Sequence, residues 1–142
     1  LESSDEMNQA GSHADNSRPD CPFCKAVLDG RVIASNGGAC AIYDKFPVTE
    51  GHTLVIPVRH FPDFFEISDS EHQAVFDLIR AMRKKLQDDD SRITGFNVGI
   101  NVGEVAGQSV PHCHIHLIPR RTGDTDRPRG GVRGIIPDRR AY

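Results

Sequence analysis

No stretch of this 142-residue chain is long and apolar enough to cross a bilayer. A spanning helix needs about 20 consecutive apolar residues, and runs such as Thr53 to Val58 fall far short. There is no basic excess either: the formal net charge of -3 removes any electrostatic argument for a nucleic-acid partner. The N-terminus is polar and acidic and carries no apolar signal region. These absences set the expectation of a soluble, cytoplasmic protein without a membrane partner. Lacking a secretory signal, the four cysteines (Cys21, Cys24, Cys40 and Cys113) are not expected to form disulfides. The CxxC spacing of Cys21 and Cys24 instead points to metal or redox chemistry. The length suits one domain with a real core and is too short for two of ordinary size.

Residues 1 to 20 are almost devoid of apolar side chains, so they cannot offset their ordering entropy and are expected to form a disordered leader. The character changes at Cys21. A short helix is expected over Cys21 to Leu28, closed by Asp29-Gly30, and strands over Arg31 to Ala34 and Ala39 to Tyr43 around the turn Asn36-Gly37-Gly38. Thr53 to Val58 reads as a buried strand. Ser68 followed by Glu71 is a capping-box pattern, and Val75, Leu78, Ile79, Met82 and Leu86 then recur at helical spacing, as a core-facing stripe does. Past the acidic break Asp88-Asp89-Asp90, Phe96, Val98, Ile100 and Val102 alternate with Asn97, Gly99 and Asn101, the pattern of a strand with one apolar face.

The segment His112-Cys113-His114-Ile115-His116-Leu117 alternates in the same way. On a strand it places three imidazoles on one side and Cys113, Ile115 and Leu117 on the core side. Three histidines in a row are poor packing material, because they repel one another when protonated. Two chemical readings follow. The three rings could hold a catalytic zinc with an open position for water. Alternatively the middle ring is a nucleophile whose tautomer is fixed by a hydrogen bond, with its neighbours holding phosphate oxygens. Gly107, Gln108 and Ser109 just upstream supply backbone and side-chain donors suited to an anion and favour the second reading.

The run from His112 to Ile118, preceded by Gly107-Gln108-Ser109-Val110, resembles the signature of the histidine triad family. Gly51-His52-Thr53-Leu54-Val55-Ile56-Pro57 with His60, and Asn97-Val98-Gly99-Ile100-Asn101, resemble two further blocks of that family, in its order. The resemblance covers roughly Cys21 to Arg121 and implies an α+β fold: an antiparallel sheet of about five strands with one long and one short helix, usually as a homodimer. It implies a covalent nucleotidyl intermediate on His114, with His116 at the phosphate, His52 beside the nucleophile, and Gln108 and Ser109 at the phosphate or leaving group. Asn101 would line the pocket, Asp44 would bind the ribose hydroxyls, and Phe23, Ile42 and Phe46 would form a slot for the base, although each also reads as core. Family members that bind structural zinc use residues matching Cys21, Cys24, His60 and His112, a closed Cys₂His₂ set. Pro111 and Cys113 depart from the usual pattern. Cys40 and Cys113 read as small buried residues, and His13 and His72 as solvated ones.

Residues 21–121 are therefore expected to form the domain, and 122–142 a basic tail. From Arg120 onward there are seven arginines against three aspartates. Pro128 and Gly130-Gly131 argue against an independent helix; such a tail either stays solvated or folds over the pocket to bind polyphosphate through its arginines. The expected activity is hydrolysis or transfer at a phosphoanhydride or phosphoramidate bond to an AMP-like group, as in diadenosine polyphosphates or adenosine phosphoramidates. Its rivals are a non-catalytic nucleotide-binding regulatory module and a hydrolase centred on zinc held by the three histidines.

Overall fold

The computed structural model describes residues 16–142. Over them the chain forms helix α1 (Pro22–Leu28), strands β1 (Ala34–Ser35), β2 (Ala39–Tyr43) and β3 (Thr53–Pro57), helix α2 (Asp69–Asp89), and strands β4 (Ile93–Gly99) and β5 (Ile115–Arg121). All strand pairs are antiparallel, in the order β1-β2-β3-β5-β4. The expected α+β architecture is the one found. Among the described residues no helix is long and apolar enough to cross a membrane.

Because side chains on a strand alternate, β2, β3 and β5 feed two separate cores. Ala39, Ala41, Val55, Ile115 and Leu117 pack against Val75, Leu78, Met82 and Leu86 of α2. Each of the valine, leucine, isoleucine and methionine side chains among them contributes about 1.5–3 kcal/mol when fully buried. The intervening residues Cys40, Ile42, Leu54 and Ile56 meet Phe23, Cys24 and Ala26 of α1 on the opposite face. With both faces covered, β3 is buried along its whole length, which is why its sequence runs apolar without alternation.

Several boundaries differ from expectation, each for an identifiable reason. The first strand is confined to Ala34–Ser35, since the Arg31 N–H bonds back to the Ala26 carbonyl at 2.9 Å and extends the close of α1. Helix α2 continues through Asp88 and Asp89 because Lys84 and Lys85, one turn earlier, pair with them at 2.8 and 2.9 Å. Strand β4 begins at Ile93 and stops at Gly99. As an edge strand it leaves Val98 half exposed rather than buried. Strand β5 starts only at Ile115, so His112 and His114 precede it. Pro111 has no N–H to give a strand partner, and the Cys113 N–H is taken by the Phe61 carbonyl at 2.7 Å.

Most of the expected leader, residues 1–15, and with it His13, lies outside the described residues. Of the remainder, the Asn16 side chain accepts from the His60 N–H, and the Arg18 carbonyl accepts from the Cys21 N–H at 3.0 Å. The C-terminal segment forms only single 3₁₀ turns, Gly131–Ile135 and Pro137–Arg139, the first of them beside β4.

The capping box is present as read: Ser68 Oγ accepts from the Glu71 N–H at 3.1 Å and the Glu71 carboxylate accepts from the Ser68 N–H at 3.0 Å. The same carboxylate takes two hydrogen bonds from Arg59, at 2.9 and 2.8 Å, and the Arg59 guanidinium lies 4.2 Å from the centre of the Phe61 ring. Burial alone would raise the Glu71 pKa, but the Arg59 and Ser68 hydrogen bonds outweigh it and the carboxyl sits below its ordinary value. Its contribution is therefore full above the ordinary carboxylate pKa and is lost as pH falls through the lower folded value. Glu71→Ala should lower unfolding free energy in urea by about 2 kcal/mol at neutral pH. The difference from wild type should narrow below about pH 4; an equal difference at pH 3 and pH 7 would contradict this assignment.

Candidate active site

The β3–β5 register sets Leu54 opposite His116, and this brings His52, just before β3, to the His116 ring. The hydrogen bonds assign the protons on these rings. The Val48 N–H donates to His52 Nδ1 at 3.0 Å, so the His52 proton is on Nε2. From there it is donated to His116 Nδ1 at 2.9 Å, which leaves the His116 proton on Nε2. His114 Nδ1–H donates to the His112 carbonyl at 2.8 Å, so its Nε2 carries a free lone pair. Every buried side-chain nitrogen or oxygen among the described residues has a partner; the unpartnered Nε2 atoms of His114 and His116 are thus open to the cleft. Burial holds His52 and His114 below the ordinary imidazole value, although Asp44 opposes it in both. Burial, then His114 and His52, push His116 down to about 4. All three rings are neutral at pH 7.

The cleft has a volume of about 740 Å³ and is lined by these three histidines together with Phe23, Ile42, Asp44, Phe46, Asn101 and Ser109. Phe23, from α1, packs edge-on against His114 with ring centroids 4.9 Å apart, so it is both wall and brace for that ring. Ile42 is nearly buried, whereas Phe46 stands 86% exposed at the rim. One Asp44 carboxylate oxygen accepts from the Phe46 N–H at 2.9 Å, and the other lies 3.4 Å from His52 Nε2. Gln108, expected at the phosphate or leaving group, is engaged here by main-chain groups. Its side chain is committed to backbone, accepting from the Gly103 N–H at 2.9 Å and donating to the carbonyls of Pro62 and Val110 at 2.9 and 3.1 Å. It holds the loop in place and does not line the cleft.

His112 turns away from the other two histidines. Its Nδ1 lies 3.5 Å from both Cys21 Sγ and Cys24 Sγ and 3.2 Å from His60 Nδ1, and Cys24 Sγ lies 3.3 Å from His60 Nδ1. A tetrahedral zinc with ordinary bond lengths places sulfur and nitrogen ligands about 3.6 Å apart and two nitrogens about 3.4 Å apart. The four side chains are thus spaced as the edges of such a tetrahedron. His112 Nε2–H donates to the Pro57 carbonyl at 2.8 Å, which frees Nδ1 as a ligand atom, the usual outer support of a metal-binding imidazole. The donor set fits zinc. The three histidines do not converge on one metal position: among the described residues, one group able to hold an ion contains His112 and another His116, and neither contains His114. In the second group, Asp44, His52 and His116, the two ring nitrogens share a proton at hydrogen-bond distance.

Sequence reading missed the backbone partners. The Val48 N–H and the carbonyls of Pro57 and His112 fix the orientation of the rings, and no side-chain identity announces them.

Comparison with known proteins places this arrangement. The HIT domain family matches residues 25–123. An uncharacterized HIT-like protein of Saccharolobus solfataricus is 38% identical over 114 residues, covering 75% of this chain and 78% of the relative. Among solved structures, a Zn-bound histidine triad family protein from Mycobacterium smegmatis superposes with a TM-score of 0.67 at 32% identity, over 75% of this chain and 78% of that one. A hypothetical histidine triad nucleotide-binding protein from Sulfolobus tokodaii gives 0.68 at 31%, over 75% and 73%. The family match takes in all five strands, the long helix and His52, His60, His112, His114 and His116, and the chain belongs to the HIT domain family of nucleotide-binding hydrolases and transferases.

Proposed function

We propose that the protein is a nucleotide phosphohydrolase or nucleotidyl transferase that cleaves AMP-containing substrates, diadenosine polyphosphates or adenosine phosphoramidates, through a nucleotidyl intermediate on His114. The observation that carries this reading is the bond from His114 Nδ1–H to the His112 carbonyl. It leaves a lone pair on Nε2, in a neutral ring, facing a cleft of nucleotide size. In the first step Nε2 attacks the α-phosphorus; the N–P bond forms, the bond to the leaving oxygen or nitrogen breaks, and the leaving group takes the electron pair. The positive charge that develops on the His114 ring strengthens its Nδ1–H bond to the carbonyl. His116 Nε2–H is the donor nearest the reacting phosphate and stabilises charge on its oxygens. In the second step water or another acceptor attacks phosphorus, the N–P bond breaks, and the acceptor proton is lost as His114 returns to its starting form. Asp44 suits the ribose hydroxyls, Phe23, Ile42 and Phe46 the base, and Ser109 and Asn101 the phosphate.

Cys21, Cys24, His60 and His112 would hold a structural zinc that takes no part in the reaction and ties α1 to the segment bearing the nucleophile. The free thiols suit a reducing, cytoplasmic setting. We read the protein as a homodimer, since the outer edge of β4 is unpaired and its Val98 is half exposed.

Mass spectrometry of a reaction quenched by denaturation at alkaline pH, where an N–P bond survives, should show AMP on the peptide containing His114. His114→Ala should lose the adduct and at least about 10³-fold in kcat/KM. Tight nucleotide binding by wild type with neither adduct nor turnover would instead identify a regulatory binding module. One zinc per chain is expected by elemental analysis. Cys24→Ser should lose it and about 3 kcal/mol of stability, a drop of roughly 10 °C in Tm; full stability after complete chelation would rule out the structural metal.

A further inference from the structure

The cleft has a direction, set by the sheet. In the strand order β1-β2-β3-β5-β4, His116 lies on β5, His52 just before β3, Asp44 just after β2 and Arg31 three residues before β1. All four line the cleft. From β5 to β1 is three strand spacings, about 14 Å. A nucleotide with its phosphate at the histidines and its ribose at Asp44 therefore directs its base toward Arg31. We propose that Arg31 reads the edge of that base and favours a 6-oxopurine over a 6-aminopurine, so that guanine nucleotides are better ligands than adenine nucleotides. The proposal rests on the placement of phosphate and ribose given above, not on the covalent step, and it widens the substrate class from adenosine to guanosine compounds.

The base end of the cleft has few polar side chains. Phe23 and Ala26 of α1, together with Val32 and Ile42, make it largely apolar. Tyr43 also borders it, but on β2 it alternates with Ile42 and turns to the α2 side, within electrostatic reach of Lys85. Arg31 and Lys45 remain. The Arg31 main chain is fixed, since its N–H donates to the Ala26 carbonyl at 2.9 Å. Its guanidinium is not committed in the same way. Among the described residues its one acidic neighbour is Asp29, at 3.6 Å, with both side chains 48% exposed, and such a surface contact contributes little. Arg31 is thus anchored by its backbone and has donors to offer.

The chemistry of those donors selects the base. A guanidinium carries five N–H donors and no acceptor. Guanine presents two adjacent acceptors, O6 and N7, which the fork meets with a pair of parallel hydrogen bonds. Adenine presents N7 beside an amino group, so one donor finds its acceptor and the next faces another donor. The Lys45 ammonium is a point charge without a fork and separates the two bases less.

Titration calorimetry of the full-length protein with GMP and with AMP tests this directly. Wild type should bind GMP about fivefold or more tighter than AMP, the lower end of the discrimination that a paired contact gives. In Arg31→Ala the two affinities should agree within about twofold, and Arg31→Lys, which keeps the charge and loses the fork, should not restore the difference. Lys45→Ala should keep it. In turnover, guanosine 5′-phosphoramidate should exceed adenosine 5′-phosphoramidate by the same ratio in kcat/KM, carried by KM. Equal affinities in wild type, a GMP preference that survives Arg31→Ala, or one that disappears with Lys45→Ala would each overturn the assignment. These binding outcomes hold or fail independently of the AMP adduct on His114, so loss of the covalent reading and loss of the base reading are told apart.

Discussion

One hydrogen bond, from the His114 ring to the carbonyl of His112, decides the chemistry of this site. A neutral imidazole has one donor and one acceptor nitrogen, and whichever partner is offered to the first determines where the second points. Here the partner is main chain two residues away, so the reactive nitrogen is oriented without any further acidic side chain. The carbonyl belongs to a residue that is itself immobilised. The His112 side chain is clamped between the Pro57 carbonyl and the Cys21, Cys24 and His60 atoms. One residue thereby joins the end of β3, the metal-competent cluster and the His114 ring, and a disturbance at the cysteines would reach that ring through its peptide plane.

The second ordering principle is neutrality. Three imidazoles, those of His52, His114 and His116, lie close together, and in a protonated state they would repel one another in a poorly solvated space. Burial keeps them uncharged, and the hydrogen bonds distribute one proton to each ring without conflict: Val48 to His52, His52 to His116, and His114 to the main chain. A site arranged in this way presents a lone pair and an N–H side by side and carries no resident positive charge on its rings.

What the sequence revealed, and what it concealed, follows from the range of the interactions. Ser68, Glu71 and the stripe from Val75 to Leu86 announce α2 because helix signals are local. The alternation of Cys113, Ile115 and Leu117 correctly placed those residues against the core. It did not place the start of β5, because whether residues 112–114 join the sheet depends on a carbonyl of Phe61, some fifty positions earlier. The partners of Gln108 were out of reach for the same reason: its amide is engaged by Gly103, Pro62 and Val110, which no motif specifies. The acidic stretch at Asp88 read as a break until the lysines one turn before it were seen to neutralise it. Family resemblance supplied the cluster of Cys21, Cys24, His60 and His112 as a set, whereas spacing alone left metal and redox chemistry open.

The two cores on either side of the sheet carry a consequence for how such a protein can diversify. Ala39, Ala41, Val55, Ile115 and Leu117 meet the long helix, and Cys40, Ile42, Leu54 and Ile56 meet α1. Substitutions at alternate positions of a single strand therefore act on different properties, thermal robustness on one side and substrate choice on the other. A lineage can remodel its cleft while the opposite layer, across the same backbone, preserves the scaffold unchanged.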